Sequence, residues 1–159
     1  VEGIKTIQGR AVLPGRARFG VVASRFNGPI VEHLLSGCLE TLERHGVCGE
    51  DITLVKVPGA REIPLAGRRM AVSGRFDAII ALGVIIRGST PHFEYVAGPC
   101  SDGLAAIGNQ YAIPVIFGVL TAETAEQAME RAGGKGGNRG ADAALAAIEM
   151  VSLLGQIDS

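Results

Sequence analysis

Four apolar runs divide the chain: Arg18 to Ser24, Ile52 to Val57, Asp77 to Ile86 and Pro114 to Leu120. Each is short, rich in branched residues and followed by a stretch whose apolar positions recur at helical spacing. The pattern predicts alternating strands and helices, and hence an α/β sheet with right-handed crossovers. The third run, from Ala78 to Ile86, has no polar interruption, as expected of a strand covered on both faces of a parallel sheet. Ligand crevices open at the carboxyl ends of such strands, so the residues that follow each run are where chemistry is sought.

The helices are legible from their punctuation. After the first run, Asn27 is placed to cap a helix that carries Ile30, Val31, Leu34, Leu35, Cys38, Leu39 and Leu42 on one face and stops at Gly46. After the second, Pro64 falls in the first turn of a short helix ending at Gly74. After the third, Thr90 reads as an N-cap and Pro91 as the first residue of a helix to Tyr111. Pro99 lies inside that helix and leaves the Tyr95 carbonyl without its donor, so a kink or a restart near Ser101 is expected. Beyond the fourth run come a helix from about Thr124 to Ala132, a glycine-dense loop from Gly133 to Gly140, and a last helix with Ala141, Ala144, Leu145, Ile148 and Val151 on one face. The segment from Ile4 to Leu13 reads as an extra strand or an arm. With no repeat or low-complexity linker, residues 1–159 are expected to form a single domain, with residues 1–13 as the arm.

Composition narrows the classes of function. The chain is 47% apolar with a net charge of −1. That balance, with no basic block, argues against a nucleic-acid surface, and no apolar run reaches the roughly 18 residues that suggest a membrane span. Cys38, Cys48 and Cys100 form no C-x-x-C pair, and His33, His45 and His92 are dispersed. No metal site is expected. The first residues lack the apolar core of a signal peptide, and a reducing cytoplasm fits the cysteines best. There is no Trp and aromatics are only 4%, so the rings near loops, Phe26, Phe93, Tyr95 and Phe117, merit attention.

Three strand ends carry candidate chemistry. At the third, the start of a helix offers backbone N–H groups and hydroxyls from Ser89 and Thr90 to an anion, with Arg87 adding charge. His92, predicted at the second residue of that helix, lies where the dipole favours a neutral imidazole able to relay protons. A capping sequence beside a surface histidine explains the same letters. At the second strand end, the Pro58-Gly59 turn presents Ala60, Arg61 and Glu62 to the crevice; the plain alternative is a turn with a dipole-complementing Glu. At the first, Phe26 is either a core contact or a ring for ligand stacking. Arg131, Lys135 and Arg139 put three charges in or beside the glycine-rich loop, which would suit a phosphate approached by close backbone; the loop lacks P-loop spacing and reads from composition as a flexible, solvated connection between helices.

Several longer phrases occur in order: Ser-Arg-Phe-Asn from Ser24, Val-Pro-Gly-Ala-x-Glu-Ile-Pro from Val57, Gly-Val-Ile-Ile-Arg-Gly-Ser-Thr-Pro-His-Phe-Glu-Tyr-Val from Gly83, Pro-Val-Ile-Phe-Gly-Val-Leu-Thr from Pro114, and Glu-Arg-Ala-Gly-x-Lys from Glu130. Together they resemble the 6,7-dimethyl-8-ribityllumazine synthase family from about Lys5 to Leu154. The resemblance implies a three-layer, flavodoxin-like sandwich with a four-stranded parallel sheet and an N-terminal arm or strand that adds to a neighbouring subunit. It implies condensation of 5-amino-6-(D-ribitylamino)uracil with 3,4-dihydroxy-2-butanone 4-phosphate, with release of phosphate and water, and no cofactor. By the same resemblance Phe26 stacks on the pyrimidine, Ala60, Arg61 and Glu62 contact the ribityl chain, and Val84, Ile85 and Ile86 border the pyrimidine. Ser89 and Thr90 hold the phosphate and His92 relays protons. Phe117 and Arg131 come from an adjacent subunit, the latter to pair with phosphate, and Lys135 is a nearby basic residue.

The chain departs from the family pattern at three positions. Arg61 stands where an aromatic or apolar residue is usual, Arg139 where Lys is common, and Pro99 in a helix that is commonly continuous. A site completed by a neighbour implies a homo-oligomer, at least a pentamer, and the short Gly133 to Gly140 loop leans towards an icosahedral 60-mer. Sedimentation separates a shell of about one megadalton from a pentamer. Riboflavin synthase is a candidate partner. Two other readings stay open: a flavodoxin-like binding module, marked by bound flavin without turnover, and a structural cage subunit, marked by a shell without reaction.

Overall fold

The structure is a computed structural model describing residues 1–159. Four strands, β1 (Phe19–Ser24), β2 (Ile52–Val57), β3 (Ala78–Ile86) and β4 (Val115–Ala122), form one parallel sheet in the order β2-β1-β3-β4. All four predicted strands are present. Side chains on successive strand residues point to opposite faces, and both faces are covered. Phe19, Val21 and Ala23 of β1 and Ala78, Ile80, Leu82 and Val84 of β3 join a core with α1 (Gly28–Arg44) and α5 (Arg139–Asp158). Val22, Ile79, Ala81 and Ile85 join a second core with α2 (Ile63–Val72) and α3 (His92–Tyr111). The result is the three-layer α/β arrangement, with β3 buried along all but its last residue.

Several expectations need correction. Asn27 precedes α1 but caps nothing through its side chain: it is left-handed, with φ of 62°, and its amide reaches elsewhere. The N-cap position of α3 is Pro91, and His92 is the first residue of the helix instead of the second. α3 neither stops nor restarts at Pro99. Thr124 does cap α4 (Ala125–Glu130), accepting the Gln127 N–H at 3.1 Å.

The glycine-dense loop is not a loose connection. It is a small antiparallel hairpin of β5 (Ala132–Gly134) and β6 (Gly137–Asn138), turned by Gly133 and Gly137 at positive φ and folded back so that Gly136 N–H bonds Glu130 O at 2.8 Å. Asn138 then caps α5, accepting from Gly140 N and Ala141 N. The face that α5 buries is also rotated from expectation. Ala143, Ala144, Ala147 and Ile148 are buried, whereas Leu145 is 37% exposed. Small residues face inward because α5 starts against the backbone of α1: a Cβ on Gly140 would run into the Leu34 carbonyl. By length and composition α5 alone is apolar enough to cross a membrane, and 33% of its apolar window is buried in the fold.

Residues 1–18 contain no strand. Gln8 and Arg10 are tied to α5, through Gln156 Nε2 to Gln8 O at 2.9 Å and Arg10 N to Ser152 Oγ at 3.3 Å, while Ile4 and Val12 are exposed.

The close approach at Gly140 predicts that Gly140→Ala destabilises the fold by about 1–3 kcal/mol through overpacking. Gly155, in the same helix with open space where its Cβ would lie, is the control: Gly155→Ala stabilises by about 0.4–1 kcal/mol. Denaturant unfolding of both variants checks the pair, and equal effects contradict the packing described.

Candidate active site

The order β2-β1-β3-β4 places a switch in winding between β1 and β3, where a crevice forms beyond the strand ends. Backbone bonds carry the ladders past the strands and fix the crevice walls. Arg25 N–H donates to Val57 O at 2.8 Å and Phe26 N–H to Pro58 O at 3.0 Å, knitting the β1 exit to the Pro58-Gly59 turn. Asn27 Nδ2 donates to Val84 O at 3.0 Å, closing the other side. Its left-handed backbone, which Asn tolerates better than most residues, aims that amide at β3 instead of at its own helix.

The resulting cavity is about 450 Å³. It gathers Phe26, the Ala60-Arg61-Glu62 turn, Val84, Ile85, Ile86 and His92, together with Asn27, Phe93 and Val96. Phe26 is 71% exposed, so the ring is not a core contact. Ala60 to Glu62 form a 3₁₀ turn leading directly into α2, in which Glu62 N–H bonds Gly59 O at 3.2 Å.

Ser89 and Thr90 do not line this cavity. They are exposed residues just before α3, and the Thr90 hydroxyl lies 3.5 Å from His92 N. Arg87, expected to add free charge there, is neutralised instead. It pairs with Glu94 and, at 3.2 Å, with Glu123, and its guanidinium lies 4.4 Å from the Phe93 ring centroid. The hydrogen bond from Arg87 holds the Glu94 carboxyl below its usual range and raises Arg87. These contacts fasten the start of α3 to the ends of β3 and β4.

Phe117 and Arg131 lie elsewhere, in a second cavity of about 430 Å³ at the free edge of β4, which shares no residue with the first. Phe117 is 43% exposed. Arg131 follows α4, with Nη1 donating to Gln127 O at 3.0 Å. Lys135 sits at the exposed tip of the β5–β6 hairpin and lines neither cavity. Arg139 does line the second, paired with Asp142 at 3.2 Å. Of the three charges in or beside the glycine-rich stretch, Arg131 and Arg139 line this cavity and Lys135 does not.

A profile of the family described as 6,7-dimethyl-8-ribityllumazine synthase matches residues 16–155 of the 159. The chain belongs to that family. It is therefore an enzyme, a transferase of riboflavin biosynthesis, and the parallel α/β sheet agrees with the fold expected of a lumazine synthase. Family membership also implies small-molecule substrates and, in general, oligomeric assembly.

The Arg87–Glu94 pair gives a pH prediction. A depressed folded pKa contributes stability that is present above the ordinary value, 4.5, and lost as pH falls through the folded value. An NMR titration should give Glu94 a midpoint below 4.5 in the native protein and return it towards 4.5 in Arg87→Ala. An unchanged midpoint in the variant contradicts the pairing.

Proposed function

We propose that the protein condenses 5-amino-6-(D-ribitylamino)uracil with 3,4-dihydroxy-2-butanone 4-phosphate to 6,7-dimethyl-8-ribityllumazine, releasing phosphate and water. The observation that carries this reading is the convergence of three separate strand ends on one cavity, in a chain of this family. Phe26 stacks on the pyrimidine, and Val84, Ile85 and Ile86 border it. Ala60, Arg61 and Glu62 contact the ribityl chain, largely through their backbone. Ser89 and Thr90 receive the phosphate at the start of α3, beyond the cavity lining, where helix N–H groups favour an anion.

The reaction asks chiefly that an amine and a ketone be held together. The amine adds to the carbonyl, water leaves to give an imine, phosphate is eliminated, and the second amine closes the ring on the remaining carbonyl with loss of a second water. Proximity is worth up to about 7–11 kcal/mol in well-oriented cases. His92 moves the protons of imine formation and phosphate loss, a contribution of about 10²- to 10⁴-fold.

The separation of the two cavities supports a shared site: Phe117 and Arg131 of a neighbouring chain complete the pyrimidine pocket and the phosphate site of this one. Lys135 keeps a lesser basic role, and Arg139, which lines the same cavity as Arg131, joins it. The minimal assembly is a pentamer, with a sixty-chain shell as the larger form and riboflavin synthase as a candidate partner. The exposed arm, with Ile4 and Val12, suits the unpaired edge of β2 in a neighbour's sheet. Unpaired thiols at all three cysteines suit the cytoplasm.

Mixing protein with both substrates should produce lumazine absorbance and an equivalent of phosphate. Arg131→Ala raises KM for the phosphorylated ketone by about ten- to a hundredfold, whereas His92→Ala lowers kcat and leaves measurable turnover. Full activity in both variants would sink the site assignment.

A further inference from the structure

Pro99 has no amide hydrogen, so the Tyr95 carbonyl one turn earlier lacks its helical donor. Yet α3 runs unbroken from His92 to Tyr111. A replacement donor comes from outside the helix: Arg61 Nη1 lies 3.5 Å from Tyr95 O, at the long end of hydrogen-bond range but carried by a charged group. The helix needs fastening at this point. Its buried residues, Cys100, Leu104 and Ile107, all follow Pro99, whereas the two turns before it, which carry His92, have none. Segments with few buried contacts and a missing backbone bond open most readily.

We propose that Arg61 is a positioning residue for His92. Its guanidinium supplies the hydrogen bond that Pro99 deletes and pins the first turns of α3 to the Ala60–Glu62 turn. Arg87 holds the same turns through Glu94, from the ends of β3 and β4. Arg61 holds them from the turn that follows β2, and both Arg61 and His92 line the cavity. Arg61 and Pro99 are thus coupled, one making good what the other removes. The role in catalysis rests on the proposed reading of His92; the coupling itself does not.

Amide exchange on the substrate-free protein tests the coupling. Arg61→Ala should raise exchange at Val96 to Gly98 by about fivefold, the worth of one hydrogen bond, while amides from Leu104 to Ile107 are unaffected. Arg61→Lys, which keeps a cationic donor, should show a smaller rise. A Pro99→Ala background restores the missing backbone N–H, and there the effect of Arg61→Ala should fall below about twofold. Turnover tests the positioning: Arg61→Ala should lower kcat by a similar factor with a smaller change in KM, and Pro99→Ala should recover most of that loss. Unchanged exchange in Arg61→Ala, or the same rise in both backgrounds, overturns the coupling. Coupled exchange without any change in kcat overturns the positioning role. A protein that makes no lumazine fails the functional reading alone, since exchange is measured without substrate.

Discussion

The parallel pairing of β1 with β3, closed at its open end by the Asn27 amide on the Val84 carbonyl, is the constraint on which the rest depends. It places the exit of β1 beside the exit of β3, so Phe26 and the Val84–Ile86 segment face one cavity. The ladder to β2 brings the Pro58-Gly59 turn to the same point, through the Phe26 N–H. Burial of β3 on both faces holds this framework rigid. Each fully buried Ile contributes about 1.5–3 kcal/mol, and Ile79 and Ile80 are both inaccessible to solvent. The geometry of the cavity is inherited from the sheet, because the backbone that lines it is the backbone that ends each strand.

His92 is held differently. It begins a helix whose anchors lie far down its length, and its place is set by side chains bridging neighbouring elements: Arg87 to Glu94 and Glu123, and Arg61 to Tyr95. The proposed pyrimidine end of the cavity is built on strands, and the proposed proton-relay end on ion pairs and a single hydrogen bond. This division suits a reaction in which two reactants must be gripped while protons are moved among several intermediates.

Much of this was legible in the sequence, for identifiable reasons. The strands announced themselves because continuous branched runs have few other places to go, and the ordered phrases around Phe26, Glu62, His92, Phe117 and Arg131 identified the family. Helix starts were read less well. Asn27 and Thr90 are good capping residues by type, but whether an amide caps its own helix or reaches another strand depends on what lies across the crevice. The Gly133–Gly140 stretch has the composition of a linker, and only its positive φ angles and its bond to Glu130 make it a hairpin. Leu145 looked like a core residue by period, yet the close contact of α5 with α1 selects alanine. Arg61 looked like a departure when considered alone; next to the carbonyl that Pro99 leaves free it has a partner.

The central claim is that one chain carries two halves of different sites, Phe26 and His92 in one cavity and Phe117 and Arg131 in the other. Co-expression of His92→Ala and Arg131→Ala, assayed with the phosphorylated ketone well below its wild-type KM so that both variants are weakly active, tests it directly. A site shared between neighbours predicts that randomly mixed oligomers regain about a quarter of wild-type turnover, because about one junction in four joins an intact His92 to an intact Arg131. A site contained within one chain predicts that the mixture never exceeds the mean of the two variants measured separately, and that result would contradict the shared site.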